Sequence, residues 1–136
     1  MLNVFINGSS GKMGLSLINL INQYKEFNLI TEDISLSDVV IDFSHPSSTF
    51  KIVKECSAKE IPLIIGTTGL NEEILNEIAT ASKNIPILTW YSDSGMSKVS
   101  IDKFILNCQR MKKRRGVDFD IVEEQFYRNL FIEVEK

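Results

Sequence analysis

The chain has 136 residues, of which 43% are hydrophobic, so it is long and apolar enough to fold around a core of its own. Its formal net charge of −3 gives no general attraction to nucleic acid or to anionic membranes, and neither partner is expected. No apolar run approaches the roughly 20 residues that span a bilayer. Since no cationic segment precedes the first apolar run, we expect a cytoplasmic protein without a secretory signal.

The cysteine and histidine content argues against a metal site. Cys56 and Cys108 are far apart in the sequence, and His45 is the single histidine. Such spacing is typical neither of a disulfide framework nor of a zinc knuckle, and it suits a reducing compartment. The sequence therefore predicts no bound metal.

The first stretch of the chain has the pattern of a strand, a glycine turn and a helix. An apolar run ends at Gly8, two further glycines follow at Gly11 and Gly14, and residues 15–24 have helical periodicity. In nucleotide-binding units such glycines permit a tight turn, close approach of the backbone to a pyrophosphate, and close packing of helix on strand. The phosphate lies against free N–H groups at the positive end of the helix. The alternative is a glycine turn that only connects the two elements.

A P-loop is the second alternative, since Gly11-Lys12 resembles the end of that motif. A P-loop requires glycine where Ile6 stands and serine or threonine where Met13 stands. Methionine cannot ligate magnesium, so we reject this interpretation.

Two acidic residues follow the predicted second strand, residues 28–31. In dinucleotide folds an acidic residue about 20 positions after the glycines binds the ribose hydroxyls. Glu32 and Asp33 are both candidates, and a solvated acidic turn is an equal alternative. Lys12, beside the glycine turn, favours the 2′-phosphate of NADP, or it is an exposed lysine in the first helical turn.

Residues 38–43 form a β-branched run, which is typical of a strand buried on both faces of a parallel sheet. Only residues 34–37 separate it from the acidic pair, and this connection is too short for a crossover helix. We therefore expect this strand to lie on the other side of the first strand.

Polar and glycine residues follow these strands where parallel strands present their carboxyl ends. Phe43-Ser44 follows the strand at 38–43, and Gly66-Thr67-Thr68-Gly69 follows a strand at 61–65. The two threonine hydroxyls are suited to bond either backbone or phosphate. Ligands bind at this edge of open α/β sheets. The sequence predicts that three strand ends converge on one crevice.

The remaining pattern completes a shortened, Rossmann-like α/β fold, a parallel sheet with helices on both faces. Further strands are predicted at 86–90 and 118–124, with a polar loop at 91–95. We expect helices at 46–58, 72–82 and 98–113. The basic run 112–115 before Gly116 is typical of a helix C-terminus rather than of a nucleic-acid site. The tail 130–136 is predicted as an edge strand or association element, which favours a homo-oligomer.

Three motifs in order resemble the 4-hydroxy-tetrahydrodipicolinate reductase (dihydrodipicolinate reductase) family of bacterial lysine and diaminopimelate synthesis. Residues 8–14, GSSGKMG, resemble its G-x-x-G-[RK]-M-G. Residues 38–46, DVVIDFSHP, resemble its D-V-V-I-D-F-[ST]-x-P, and residues 64–69, IIGTTG, resemble its [VI]-I-G-T-T-G. The resemblance extends over residues 1–83.

The resemblance implies a Rossmann-like domain that uses NADPH or NADH to reduce a cyclic unsaturated dicarboxylate. It implies that Gly8, Gly11, Lys12 and Met13 line the pyrophosphate and adenosine site, with Gly14 completing the motif. It also implies a nicotinamide site at Phe43, Gly66 and Thr68, beside Thr67. Lys12 favours NADPH, whereas Glu32 or Asp33 favours NADH, and together they suit dual cofactor use.

The second half departs from the family pattern. The family carries E-A-H-H-x-x-K-x-D-x-P-S-G-T, whose histidine and lysine serve acid catalysis and substrate binding. Here residues 119–129 read FDIVEEQFYRN, with no matching histidine, lysine or S-G-T. Hydride transfer needs a nearby proton donor, and a dicarboxylate needs paired cations or N–H nests. The catalytic residues are unknown, and Tyr127 and Arg128 are the stand-in candidates.

Two functions therefore stay open. The first is an NAD(P)H-dependent reductase of this family acting on a small dicarboxylate. The second is a non-catalytic nucleotide-binding or oligomerising remnant. We assign residues 1–125 to the dinucleotide-binding domain and residues 126–136 to a remnant of, or substitute for, the family's C-terminal domain. A short-chain dehydrogenase is disfavoured because no tyrosine has lysine four residues later.

Overall fold

In the computed structural model, the described residues are 2–89, 98–119 and 121–135. The predicted polar loop at 91–95 lies outside them. The elements in chain order are β1 (Leu2–Asn7), α1 (Lys12–Asn22), β2 (Phe27–Ile30), a short 3-10 helix (Ile34–Leu36), β3 (Val39–Asp42), α2 (Pro46–Lys59), β4 (Leu63–Ile65), α3 (Glu72–Ala81), β5 (Ile87–Thr89), α4 (Lys98–Arg114) and α5 (Ile121–Glu135).

All five strands are parallel and form one sheet in the order β2-β1-β3-β4-β5. β1 pairs with β2 on one side and with β3 on the other, as predicted from the short connection between β2 and β3. That connection contains only the 3-10 helix, so a complete crossover helix is indeed missing at this point. The predicted Rossmann-like fold class is confirmed.

The sheet is covered on both faces, which explains the continuous apolar runs in its strands. Every residue of β3 is buried. Val4 and Ile41 face one core cluster, which includes residues of α1, α4 and α5. Val40 and Leu63 face the other, which includes residues of α2 and α3. Because both faces are dry, the strands carry β-branched residues at successive positions rather than in alternation.

The first four predicted helices are present, with bounds shifted by a few residues. α1 begins earlier than predicted, at Lys12. α4 ends at Arg114 and Gly116 has φ +71°, so the basic run does occupy a helix C-terminus stopped by glycine. Leu15 in α1 and Leu75 in α3 are exposed by 55% and 45%, although the apolar spacing of these helices favours their burial, since the buried stripes they flank are narrow.

The predicted strands at 118–124 and 130–136 are wrong, because α5 runs from Ile121 to Glu135. Apolar and polar residues alternate here as in a strand, but a helix places more of the large apolar side chains in the core. Phe126, Tyr127 and Leu130 are all buried in the cluster that includes α1 and α4, at a spacing of one and three residues. Ile121, which a strand would have buried, is 79% exposed.

The predicted domain boundary between residues 125 and 126 falls inside α5. The division of the chain into two units stays a prediction. A homo-oligomer also stays a prediction, although α5 replaces the edge strand that favoured it. Among the described helices, none combines the length and apolar character needed to cross a bilayer.

Candidate functional site

The N-terminus of α1 is arranged to bind an anion. Gly11 occupies the N-cap position with an extended backbone (φ −79°, ψ 171°), and no side chain caps the helix. The first turn contains no acidic residue. The first N–H groups of a helix have no partner within the helix, so here they remain available to a ligand.

The N-terminus of α3 shows what a closed helix end looks like in the same chain. The Asn71 side chain accepts a hydrogen bond from the N–H of Ile74 at 2.9 Å. Glu72 and Glu73 occupy the first turn, where their charges oppose an incoming anion. The contrast shows that the N-terminus of α1 is open to an anion, whereas that of α3 is closed.

Two glycines of the turn are required by the protein itself. Gly8 has φ +90°, and a Cβ there would lie 2.2 Å from the carbonyl oxygen of Phe43. A Cβ on Gly14 would lie 2.4 Å from the carbonyl oxygen of Gly8. The space at Gly14 lets α1 pack directly against the end of β1, which is the third role expected of glycines in this turn, and the space at Gly8 lets the loop after β3 approach the turn.

Gly11 is different, because the protein leaves room for a side chain there. The nearest atom to a Cβ on Gly11 is the carbonyl oxygen of Gly8 at 3.5 Å, an ordinary contact. Gly11 is also exposed and has a backbone conformation open to any residue. Neither packing nor backbone strain requires this glycine. Glycine is favoured at an N-cap, and it also leaves space for a ligand to approach the backbone.

The three predicted strand ends do converge. The Phe43 N–H bonds the carbonyl of Asn7 at 3.0 Å, next to the glycine turn. The ring of Phe43 fills the space beside Gly66, where a Cβ would lie 1.9 Å from the ring. Phe43 thus contacts the loop after β1 on one side and the loop after β4 on the other.

A buried carboxylate lies beneath this convergence. Asp42, the last residue of β3, is 0% exposed and accepts four side-chain hydrogen bonds. Its Oδ1 accepts from Asn7 Nδ2 at 2.8 Å and from Ser44 Oγ at 2.5 Å. Its Oδ2 accepts from Thr49 Oγ1 at 2.5 Å and from Thr67 Oγ1 at 2.9 Å. The donors come from β1, α2 and the loops after β3 and β4.

The two threonines of the glycine loop have different environments. Thr67 is buried, and its hydroxyl accepts from the N–H of Ser44 at 2.9 Å while donating to Asp42. Its hydroxyl is therefore used by the protein and not directed at a phosphate. Thr68 is exposed at the same rim.

The residues predicted to select the cofactor all lie on the surface. Lys12 and Met13 are exposed in the first turn of α1. Asp33 caps the 3-10 helix, where its Oδ1 accepts from the N–H and the hydroxyl of Ser35, and these bonds lower the pKa of its carboxyl. Glu32 is exposed and makes no side-chain bond within the described residues. Of the two acidic residues, Glu32 is therefore the one whose carboxylate is available to a ligand.

The two catalytic candidates are not brought to this rim. Tyr127 is fully buried, its hydroxyl lies 3.4 Å from Glu123 Oε2, and burial raises its pKa well above the ordinary value. Arg128 pairs with Asp102 at 2.8 Å and with Glu124 at 3.4 Å. No contact among the described residues joins either side chain to the strand-end loops.

The thiols give no sign of reactivity. Cys56 and Cys108 are buried, and burial raises the pKa of both thiols well above the ordinary value. Thiols of this kind behave as small apolar side chains. In the part of the chain that the structure describes, no cluster of three His, Cys, Asp or Glu residues could hold a metal ion.

A basic groove lies near the start of β5, away from the strand-end rim. It has a volume of about 590 Å³, and its cations are Lys83, Arg110, Lys113 and Arg114. α4 ends at Arg114 beside it, so these charges complement the negative end of a helix. We therefore do not assign a ligand to this groove.

Sequence reasoning identified the rim but missed the polar network beneath it. Asn7, Thr49 and the carboxylate of Asp42 were not predicted to act there. The available signal was an acidic residue closing a run of buried β-branched residues, since such a carboxylate must find several donors.

Comparison with known proteins relates the chain to one group of reductases. The family model "Dihydrodipicolinate reductase, N-terminus" matches residues 30–91. The 4-hydroxy-tetrahydrodipicolinate reductase of Caldanaerobacter subterraneus subsp. tengcongensis is 34% identical, over 91% of this chain and 55% of its own length. The chain is similar to the N-terminal part of the dihydrodipicolinate reductases. The enzyme of the same name from Alkaliphilus oremlandii is 40% identical, over 64% of this chain and 40% of its own length.

The solved structures agree on the fold. A dihydrodipicolinate reductase from Paenisporosarcina sp. TG-14, with dipicolinate bound, has a TM-score of 0.56 and 21% sequence identity. The match covers 65% of this chain and 46% of that one. The chain spans about half the length of the curated family members it matches.

Proposed function

We propose that this chain binds NADPH or NADH in the manner of the dihydrodipicolinate reductases. The observation that carries the proposal is Gly11. It caps an open helix N-terminus, and the protein leaves space for a side chain that the sequence does not use. A pyrophosphate on the N–H groups of α1 would occupy that space.

The rest of the rim suits the remainder of a dinucleotide. Lys12 lies at the phosphate end, where a cation favours the 2′-phosphate of NADPH, and Glu32 follows β2, where a carboxylate favours the ribose hydroxyls of NADH. Phe43, Gly66 and Thr68 form the opposite part of the rim and are assigned to the nicotinamide. When bound, the cofactor supplies a hydride.

The family relationship further suggests a role in lysine and diaminopimelate synthesis, with a small dicarboxylate as substrate. Dipicolinate, the ligand of the solved neighbour, is a compound of this class. Reduction also needs a proton donor close to the nicotinamide. Within the described residues neither Tyr127 nor Arg128 supplies one, because the first is buried and the second is held in ion pairs.

That observation favours a second candidate function, a nucleotide-binding module that does not turn over the substrate by itself. The two candidates share the cofactor site and differ only in the catalytic half. Binding therefore has to be measured before turnover.

The direct test is calorimetric titration of the purified chain with NADPH and with NADH, beside the Gly11→Ala variant. A methyl group at Gly11 meets only one protein atom, so the variant should fold normally and bind the preferred cofactor at least about tenfold more weakly. Asn19→Ala, on the exposed middle of α1, is the control and should bind like the wild type.

Saturable binding that Gly11→Ala abolishes supports the nucleotide site. No binding by the folded wild type would refute it. If binding is present, NADPH oxidation with the cyclic dicarboxylate substrate separates the two candidates, since the binding module should give no turnover.

A further inference from the structure

We propose that Asp42 is the positioning residue of the cofactor crevice. Its buried carboxylate fixes the ends of β1, β3 and β4 relative to one another and acts on the glycine loop through Thr67. This inference rests on the proposed nucleotide site and adds a residue that does not touch the cofactor.

In the described part of the chain, the carboxylate of Asp42 is buried without a cation beside it. Asp42 is 0% exposed, and among the described residues no Lys, Arg or His forms an ion pair with it. A buried carboxylate without a cation is costly unless each oxygen is hydrogen-bonded. Here each oxygen accepts two side-chain donors, so the strand end holds a demanding group that only a particular arrangement of loops can satisfy.

The donors to Asp42 come from separate parts of the chain. Asn7 immediately precedes Gly8, Ser44 follows Phe43, and Thr67 lies between Gly66 and Thr68. Each of these three donors is thus adjacent to a residue assigned to the cofactor. One side chain joins three separate loops, none of which is covalently close to the others. A shift of any of these donors removes one of the two bonds to its oxygen, so the carboxylate couples the loop positions.

Thr67 uses its hydroxyl twice. The hydroxyl donates to Asp42 Oδ2 and accepts from the N–H of Ser44. Thr49 donates to the same oxygen, is also buried, and lies in the first turn of α2, where its hydroxyl makes no described bond to the loops after β3 and β4. The chain therefore offers a matched pair of threonines, one linked to the crevice and one not.

The test compares Thr67→Val with Thr49→Val. Each variant removes one donor to the same oxygen, and Thr67→Val also leaves the N–H of Ser44 without its acceptor. Both should lose stability in urea unfolding, Thr67→Val the more. Only Thr67→Val should also weaken binding of the preferred nicotinamide cofactor, by about tenfold, since only it releases Ser44. Equal affinities for the two variants would overturn the proposal.

Asp42→Asn tests the carboxylate itself. If Asp42 acts through Thr67, the double variant Asp42→Asn/Thr67→Val should bind the cofactor within about twofold of Asp42→Asn alone. Independent, multiplied losses would overturn the proposal. Should Asp42→Asn fail to fold, the comparison of cofactor affinity between Thr67→Val and Thr49→Val still tests the proposal.

Amide hydrogen exchange supplies a readout that does not depend on the cofactor. In Thr67→Val, amide exchange should accelerate at least about tenfold at Ser44 and Gly66, while the amide of Leu2, at the opposite, amino end of β1, stays unchanged. Unaltered exchange at these amides would overturn the positioning role. A wild type that binds neither nucleotide would instead refute the proposed function, whatever the exchange shows.

Discussion

The ring of Phe43 occupies the position that a side chain on Gly66 would need, with 1.9 Å between an ideal Cβ and Phe43 Cε1. Phe43 cannot move away freely, because it also packs against the core cluster beneath β1 and β3. The ring of Phe43 and the absence of a side chain at Gly66 therefore hold the loop after β3 against the loop after β4.

The first prediction follows from this contact. Gly66→Ala should destabilise the fold by about 1–3 kcal/mol, since the added methyl must displace a packed ring. Removing the ring should make room for it, so the cost of the alanine should fall below about 0.5 kcal/mol in a Phe43→Ala background. Urea unfolding of the four proteins in this cycle gives the answer. Equal costs in both backgrounds would contradict the contact.

The second prediction separates the glycines of the turn. Gly14→Ala should destabilise the chain by about 2 kcal/mol, because the new Cβ would lie 2.4 Å from the carbonyl oxygen of Gly8. Gly11→Ala should change the free energy of unfolding by less than about 0.5 kcal/mol, because its nearest contact is 3.5 Å. Thermal and urea unfolding of both variants suffice. A reversed order would mean that Gly11, too, is a packing residue.

Much of this geometry could be predicted from the chain alone. The glycine spacing at Gly8 and Gly14 identifies a tight turn, and the unbroken apolar run of β3 identifies a strand covered on both faces. The loop lengths then determine on which side of β1 it lies. Local signals are sufficient wherever a backbone constraint or a continuous pattern leaves one solution.

The parts that could not be predicted depend on long-range partners. Residues 118–124 alternate like a strand, and only the packing of Phe126 and Tyr127 against distant elements makes this region helical from Ile121. Similarly, nothing local indicates that Thr67 turns its hydroxyl inward, because its partners Asp42 and Ser44 are more than 20 residues away.

The third prediction concerns cofactor choice. Lys12→Gln should weaken NADPH binding about tenfold and leave NADH binding within about twofold, because only NADPH carries a phosphate for the lysine. Glu32→Gln should weaken the binding of NADH and leave the binding of NADPH unchanged. Asp33→Asn is the control, since Asp33 caps the 3-10 helix, and it should lower stability without altering the preference. Parallel titrations would expose any variant that weakens both cofactors equally.

The fourth prediction uses the ion pair between Lys112 and Glu123, whose side chains are 22% and 6% exposed. Burial raises the pKa of Glu123, so the folded chain holds this proton more tightly than the unfolded chain. The resulting stability is present at low pH and is lost as the pH rises through the raised pKa. Lys112 opposes that loss by stabilising the carboxylate.

Lys112→Met should therefore cost about 2 kcal/mol near pH 8 and less near pH 5, because the raised pKa of Glu123 lets its carboxyl take up a proton more readily as the pH falls. Urea unfolding at the two pH values measures the difference. Lys113→Met, at the exposed neighbouring position, should show little loss and no such dependence. A loss of equal size at both pH values would mean that the ammonium contributes packing rather than charge.

The fifth prediction tests the helical assignment of α5 through two residues that a strand and a helix place differently. Ile121 is 79% exposed in the helix, whereas Leu130 is completely buried. Ile121→Lys should change stability by less than about 0.5 kcal/mol, and Leu130→Ala should cost about 2–4 kcal/mol through the cavity it leaves. A strand over 118–124 would bury Ile121 and reverse the outcome for the lysine. Because neither residue lies at the strand-end rim, cofactor affinity should be unchanged in both variants while they remain folded.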